Sequence, residues 1–175
     1  ESDVQALAPA QALMAFNVNV LEAMREDCKP PIEVIGGHTH IWQRCYTGKR
    51  YIAFTDTSHG TGGDDAVTVL LDVATGFVVA DVHSNVLSAE ALALASVKLL
   101  EQYQSPLWAI EDNDRGIVTI HKAQALGYKR LYYRGEGKVG WHTNERTRLD
   151  LWEDLIEAVN QRLLTIPSAE GLAQL

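Results

Sequence analysis

Cysteine is nearly absent. Two occur in 175 residues, Cys28 and Cys45. That is too few for a disulfide framework and points to a reducing compartment. Long apolar runs are missing too: none approaches the ~18 residues of a membrane span, so no membrane partner is expected. The chain shows no signal peptide, no internal repeat and no low-complexity tract. No glycine loop ends in the Lys-Ser/Thr pair that holds a nucleotide phosphate; Gly60 to Gly63 lacks the lysine and lies between two apolar runs. Positive charge is in deficit, with 15 Lys and Arg against 23 Asp and Glu. The net charge of −8 excludes a generally basic nucleic-acid binder but not a local basic surface. What is present is a globular composition, 46% hydrophobic, enough to bury one substantial core. We read one domain, or one domain with an appendage. Because the sequence opens at Glu1 without methionine, it reads as an excised fragment.

The chain is organised around Tyr51 to Asp72. An apolar run, Tyr51 to Thr55, ends in Asp56. A polar, glycine-rich turn covers Thr57 to Asp65, and a second apolar run leads away from Ala66. The pattern predicts two antiparallel strands joined by a loose loop. The first run is almost wholly apolar, which predicts a strand buried on both faces. A buried carboxylate is costly unless paired or bound to a metal, and Asp56 at the strand end partly avoids that cost. On local pattern alone Asp56 either opens a turn or is held for a ligand.

Upstream, Leu13, Val20, Leu21 and Met24 approximate a helical stripe within Val4 to Asp27, stopped by Lys29-Pro30-Pro31. Val34 to Tyr46 reads as extended, interrupted at Gly36-Gly37. His38, His40, Cys45 and Cys28 invite a zinc reading, but their spacing fits no structural zinc pattern and we read them as ordinary strand residues. Residues 1–45 are therefore set apart as a helix and linker, and 46–175 as the main domain.

Downstream, Phe77 to His83 is a third strand. Ser88 caps a helix whose stripe is Leu92, Ala95, Leu99 and Tyr103. Leu107 to Ile110 is a fourth strand, and it too ends in a carboxylate, Glu111. Asp114 is the expected cap of a helix over Gly116 to Leu126, with Gly127 at its end. Arg130 to Tyr133 is a fifth strand. Thr147 to Leu163 has the strongest helical period, with Trp152, Leu155, Ile156, Val159 and Leu163 on one face. Leu164 to Ile166 is a last short strand, and Pro167-Ser168 starts another helix. This order predicts an α/β fold: a mixed five-stranded sheet, three antiparallel strands in front, then alternating helices and strands, with helices on both faces.

If the first and fourth strands are parallel neighbours, Asp56 and Glu111 lie about one strand spacing apart, ~5 Å. Two carboxylates that close repel unless a cation lies between them. An oxygen-rich site of this kind suits magnesium or manganese (Mg2+ or Mn2+). Two such ions can clamp the attacking and leaving oxygens of a phosphodiester.

The motifs around these carboxylates carry a resemblance. They are Tyr51-Ile-Ala-Phe-Thr-Asp56 with Gly60 and Asp64-Asp65, then Ala109-Ile110-Glu111-Asp112-Asn113 with Gly116. Gly127-Tyr128, Leu131-Tyr132, Gly140-Trp141-His-Thr143-Asn144 and Thr147-Arg148 follow. In this order they resemble the C-terminal nuclease domain of the large terminase subunit of tailed bacteriophages, a ribonuclease H-like enzyme. The resemblance implies metal-dependent cleavage of double-stranded viral DNA during genome packaging. Asp56 and Glu111 match the family's first two metal-binding carboxylates and are the expected catalytic residues. The implied partners are double-stranded DNA, the packaging ATPase, the portal and the small terminase subunit, in the cytoplasm of an infected bacterial host. The family's third carboxylate has no match before Leu175, so the domain is expected to be cut short at its C-terminus. Asp150 and Asp154, on the long helix, read as solvated.

Asp64 and Asp65 border the hairpin loop and are side candidates for the metal; His59 is a candidate phosphate contact. From His121 to Arg148 seven basic residues face only two acidic ones, Glu136 and Glu145. Among them Lys129, Arg130, Arg134, Lys138, Arg146 and Arg148 are expected to follow a DNA backbone, with Tyr128, Tyr132, Tyr133 and Trp141 interleaved. The alternatives are a non-catalytic DNA-binding or motor-docking module, and another ribonuclease H-like nuclease such as a junction resolvase.

Overall fold

The structure, a computed structural model, describes residues 15–58 and 63–175. Part of the first expected helix, Val4 to Met14, and His59 to Gly62 of the hairpin loop lie outside these residues. Within them a six-stranded sheet carries the fold. Its strands are β1 (Glu33–Ile35), β2 (Thr39–Ile41), β3 (Tyr51–Asp56), β4 (Ala66–Asp72), β5 (Phe77–Ser84) and β6 (Leu107–Ile110). They lie in the order β1-β2-β5-β4-β3-β6. All neighbours are antiparallel except β3 and β6, which run parallel. The mixed α/β sheet expected from the sequence is therefore present, with six strands rather than five. The additions come from the Val34 to Tyr46 region. Gly36 and Gly37 turn it into a hairpin, and β2 pairs with β5. These two strands fall in the segment set apart as helix and linker.

The expected strand Arg130 to Tyr133 is not one. Leu131 makes a single parallel bridge to Trp108, and the chain then folds into a separate two-stranded ribbon, β7 (Tyr133–Arg134) with β8 (Lys138–Val139). The last expected strand is likewise reduced to a bridge between Thr165 and Phe77.

A first helix, α1 (Val18–Glu26), precedes the sheet. Helix α2 (Ala89–Gln102) connects β5 to β6, and α3 (Asp114–Ala125) follows β6. Ser88 caps α2 as expected, accepting from the Ala91 amide at 3.2 Å. Both helices bury apolar residues in the same core as the sheet, Leu92, Val97, Leu99 and Leu100 from α2 and Ile120 and Ala123 from α3. The sheet residues that meet them are Tyr51, Ala53, Leu70, Trp108 and Ile110. Burying each large apolar side chain here stabilises by about 1.5–3 kcal/mol. The same core contains a polar chain: Trp108 Nε1 donates to Thr55 Oγ1 at 2.8 Å, Thr55 and Thr68 hydroxyls meet at 2.6 Å, and Thr68 meets Ser96 at 2.7 Å. Every member has a partner, which is the condition under which buried hydroxyls are tolerated.

The opposite face of the sheet corrects the expectation that β3 is buried on both sides. Strands β3 and β4 alternate strictly: Ile52 is 43% and Phe54 38% exposed, while Tyr51, Ala53 and Thr55 are buried. Ile52, Phe54, Val67, Val69, Leu71 and Leu107 floor an open groove of about 940 Å³ that runs up to Asp56. An apolar run does not distinguish a strand covered twice from one covered once, because a covering element is a tertiary feature.

A smaller cluster flanks the sheet. It joins α1, α4 (Glu145–Asn160) and α5 (Ala169–Leu172) through Phe16, Met24, Val159 and Leu172. Of the strong helical stripe only Val159 is fully buried; Trp152 and Phe16 form a T-shaped ring pair with centroids 5.6 Å apart, and Leu163 stays exposed.

Candidate metal centre

The parallel register of β3 and β6 builds the site. Thr55 pairs with Ile110, and the Glu111 amide donates to the Thr55 carbonyl at 3.0 Å. Asp56 and Glu111 are thus the next residues on two adjacent strands, both at the C-terminal end. Their side chains come within hydrogen-bonding reach of each other. Partial loss of water, the largest cause, and the Glu111 carboxylate beside it together raise the Asp56 carboxyl from 3.8 to about 6. The Thr57 amide and the Arg148 guanidinium oppose that rise without cancelling it. Such a pair is electrostatically unfavourable unless a proton or a cation sits between the two groups.

The segment after Glu111 is built tightly around it. Asn113 caps α3: its Oδ1 accepts from the Gly116 amide at 2.7 Å and from the Thr57 hydroxyl at 2.8 Å. Its Nδ2 donates to Glu111 Oε2 at 3.0 Å. The cap is therefore Asn113 and not Asp114, which is the first helical residue. Asn accepts at a helix start as well as Asp does, so the difference lies only in where the helix begins. Gly116 lets the helix start press on the strand end: a Cβ there would fall 1.6 Å from the Glu111 carbonyl oxygen.

Asp112 points elsewhere. It receives Arg134 Nη2 at 2.5 Å and His142 Nδ1 at 2.9 Å. The strand end is extended by Trp141, whose amide donates to the Ile110 carbonyl at 2.7 Å and whose carbonyl accepts from the Asp112 amide at 2.7 Å. The β7–β8 ribbon and the start of α4 are thereby fixed beside the two carboxylates. Asn144 and Thr147 close that helix start with reciprocal side-chain bonds.

The other candidates divide. Asp64 is exposed, and Asp65 is turned toward β5, where it meets His83 Nε2 at 3.1 Å. Both line the groove that reaches Asp56. Among the described residues no group of three His, Cys, Asp or Glu side chains is placed to hold a metal ion. His38 meets Thr39 and His40 meets Asp81 at 2.7 Å, both within the sheet. Of the basic residues, Lys138, Arg146 and Arg148 are exposed; Arg148 lies near enough to Asp56 to oppose the rise of its pKa, and Lys138 is paired with Glu136 at 3.3 Å. Arg134 is held by Asp112, with its Nη1 buried and without a partner. Lys129 and Arg130 lie at the other end of β6, where the Arg130 carbonyl accepts from Trp108. His59, the candidate phosphate contact, lies outside the described residues, as does Gly60 of the motif.

In sequence, Asn113 and Gly116 stand out only as parts of a motif. The available signal is spacing: an Asn two residues past a strand-end carboxylate and three before a glycine fits a cap against a close-packed helix start.

The sheet order, with β6 crossing back to run parallel beside β3 and a carboxylate at the end of each, defines a ribonuclease H-like α/β fold. Its similarities among solved structures are narrower. The large terminase nuclease from thermophilic phage G20c matches with a TM-score of 0.65 in its magnesium-bound crystal structure, at 12% identity, over 86% of this chain and 75% of that one. Its zinc-bound form matches at 0.67, also at 12% identity, over 88% and 85%. The large terminase nuclease domain of Thermus phage P74-26 matches at 0.64, with 14% identity, over 89% and 75%. No family model matches the chain, and no curated protein matches its sequence. The chain thus has the fold of a phage large-terminase nuclease domain.

Proposed function

We propose that this chain is a divalent-metal-dependent endonuclease domain that cuts double-stranded DNA in the packaging machine of a tailed phage. The observation that carries the reading is the contact between Asp56 and Glu111 at the ends of parallel neighbouring strands, on the fold of phage terminase nucleases. Asp56 and Glu111 would hold the ion. Their all-oxygen donor set suits a hard cation such as magnesium or manganese, and the mutual repulsion that lifts Asp56 is what a cation relieves. Bound there, the metal supplies charge stabilisation at the phosphate and a more acidic water. The chain's own residues fix the geometry: β3 and β6 set the carboxylate spacing, and Asp112 holds the ribbon beside it. Lys138, Arg146 and Arg148 present positive charge for the DNA backbone. Lys129 and Arg130, at the far end of β6, fall outside that path.

Two gathered carboxylates hold one ion, weakly. Titration with manganese should show a single site per chain, with magnesium weaker, and plasmid nicking in manganese should be slow. Absence of both manganese binding and nicking would favour the alternative of a DNA-holding module, a reading to which the lack of a third gathered ligand among the described residues lends weight.

The DNA path has its own test. Lys138→Ala and Arg146→Ala should each weaken duplex binding. Each should also flatten the slope of log K against log salt by about 0.9 for every phosphate that is no longer neutralised. Manganese affinity should not change. An unchanged slope in the double variant places the path elsewhere. Arg134→Ala is a poor probe, because it leaves Asp112 without its guanidinium partner.

A further inference from the structure

We propose that Asn113 is a positioning residue that sets the Glu111 carboxylate for metal binding, an inference that rests on the nuclease reading above. Asn113 reaches three elements at once. Its Oδ1 is fixed by the Gly116 amide at 2.7 Å and by the Thr57 hydroxyl at 2.8 Å, one from the start of α3 and one from the loop after β3. The amide group therefore has one orientation. Flipping it would aim an NH2 at the Gly116 N–H and leave that donor without an acceptor. With Oδ1 so held, Nδ2 is presented to Glu111 Oε2 at 3.0 Å.

The consequence is for the metal centre. A glutamate at a strand end has free χ angles and a repelling neighbour in Asp56, which would swing it away when no cation is bound. The Asn113 amide opposes that swing and keeps one oxygen engaged, so the second oxygen stays on the Asp56 side. Thr57 is the residue after Asp56, so the same amide ties the two carboxylate-bearing strand ends together. Partners that orient a ligating carboxylate in this way typically change metal affinity or activity by about 10- to 100-fold when removed.

The discriminating variant is Asn113→Ser. Serine caps a helix about as well as asparagine, so α3 keeps its start, but its side chain is too short to reach Glu111. Manganese binding, followed by the EPR signal of the free ion, should weaken about tenfold. Plasmid nicking should fall in kcat with KM for DNA unchanged, and the thermal midpoint should stay at the wild-type value. In a Glu111→Gln background, which has already lost the metal site, the same substitution should change neither the thermal midpoint nor the residual nicking. A merely structural role would lower the midpoint and add in both backgrounds. Equal manganese affinity for the wild type and Asn113→Ser overturns the positioning role while leaving the metal site intact. A wild-type chain that binds no manganese overturns the site itself, and this proposal with it.

Discussion

Asp56→Asn or Glu111→Gln should remove metal-dependent nicking, by at least about a hundredfold, the scale expected when one electrostatic contact to a transition state is deleted. Each substitution takes a negative charge from a two-carboxylate cation site, and a neutral amide is a poor ligand for a divalent ion. The stabilisation that manganese gives the wild type should disappear with it. Stability without metal should move the other way. Asp56 has its folded-state pKa raised to about 6 from 3.8, so the folded chain holds its proton more tightly than the unfolded chain. Below about pH 4 both states are protonated and the group contributes nothing. Between about pH 4 and 6 the unfolded chain ionises first and stability is lost. Above about pH 6 the penalty is constant. Asp56→Asn should therefore unfold later than the wild type at pH 7–8 in EDTA. The gain should be about 1 kcal/mol, a fraction of the full shift because solvent reaches this half-open site and screens it. Below about pH 4 the two proteins should unfold together. Urea unfolding across that pH range, beside a plasmid assay, measures both effects. Full nicking by either variant, or a wild type more stable than Asp56→Asn at pH 8, would sink the assignment of these carboxylates.

The two carboxylates were legible because each ends an apolar run, and strand ends can be read from composition. Their contact followed from one topological assumption, that the strands of Asp56 and Glu111 are parallel neighbours; β3 and β6 are. The expected burial of both faces of β3 failed for a reason of the same kind. Ile52 and Phe54 are apolar, yet they stay 43% and 38% exposed on an open groove, and no local pattern reports how completely a face is covered. The basic run from Lys129 to Arg148 is continuous in sequence but not in space. The chain climbs the length of β6 between Arg130 and Trp141, so one stretch of charge is divided between two ends of the sheet. Arg134 illustrates a second limit: a cation in sequence becomes an internal tie when a carboxylate, here Asp112, lies under it. Helix periodicity overstated the burial of α4 as well, where, among the described residues, a clean stripe packs into a small cluster with Phe16, Met24 and Leu172 and leaves Leu163 exposed.

Gly116→Ala should damage fold and site together. In an ordinary helix interior that change stabilises by up to about 1 kcal/mol, since alanine has the better propensity. Here the sign should reverse. The added Cβ would lie 1.6 Å from the Glu111 carbonyl oxygen, 2.8 Å from its carbon and 3.2 Å from Asn113 Oδ1. Those first two atoms are backbone and cannot turn aside as a side chain can. Nor can Glu111 retreat freely, because its amide is bonded to Thr55 in β3. The start of α3 must move out, which loosens the Asn113 cap and its bond to Glu111. Overpacking of this kind typically costs about 1–3 kcal/mol, and a clash with fixed backbone belongs at the upper end, about 3 kcal/mol. Manganese affinity and nicking should fall toward the level of Glu111→Gln. Gly135→Ala is the control: its Cβ would meet nothing within 4 Å, and stability and nicking should both stay near the wild type. Denaturant melts and metal titration of the two alanine variants separate the outcomes. If Gly116→Ala melts with the wild type and still binds manganese, the helix start does not abut the Glu111 backbone, and the tight strand-to-helix connection that holds this carboxylate is not what positions it.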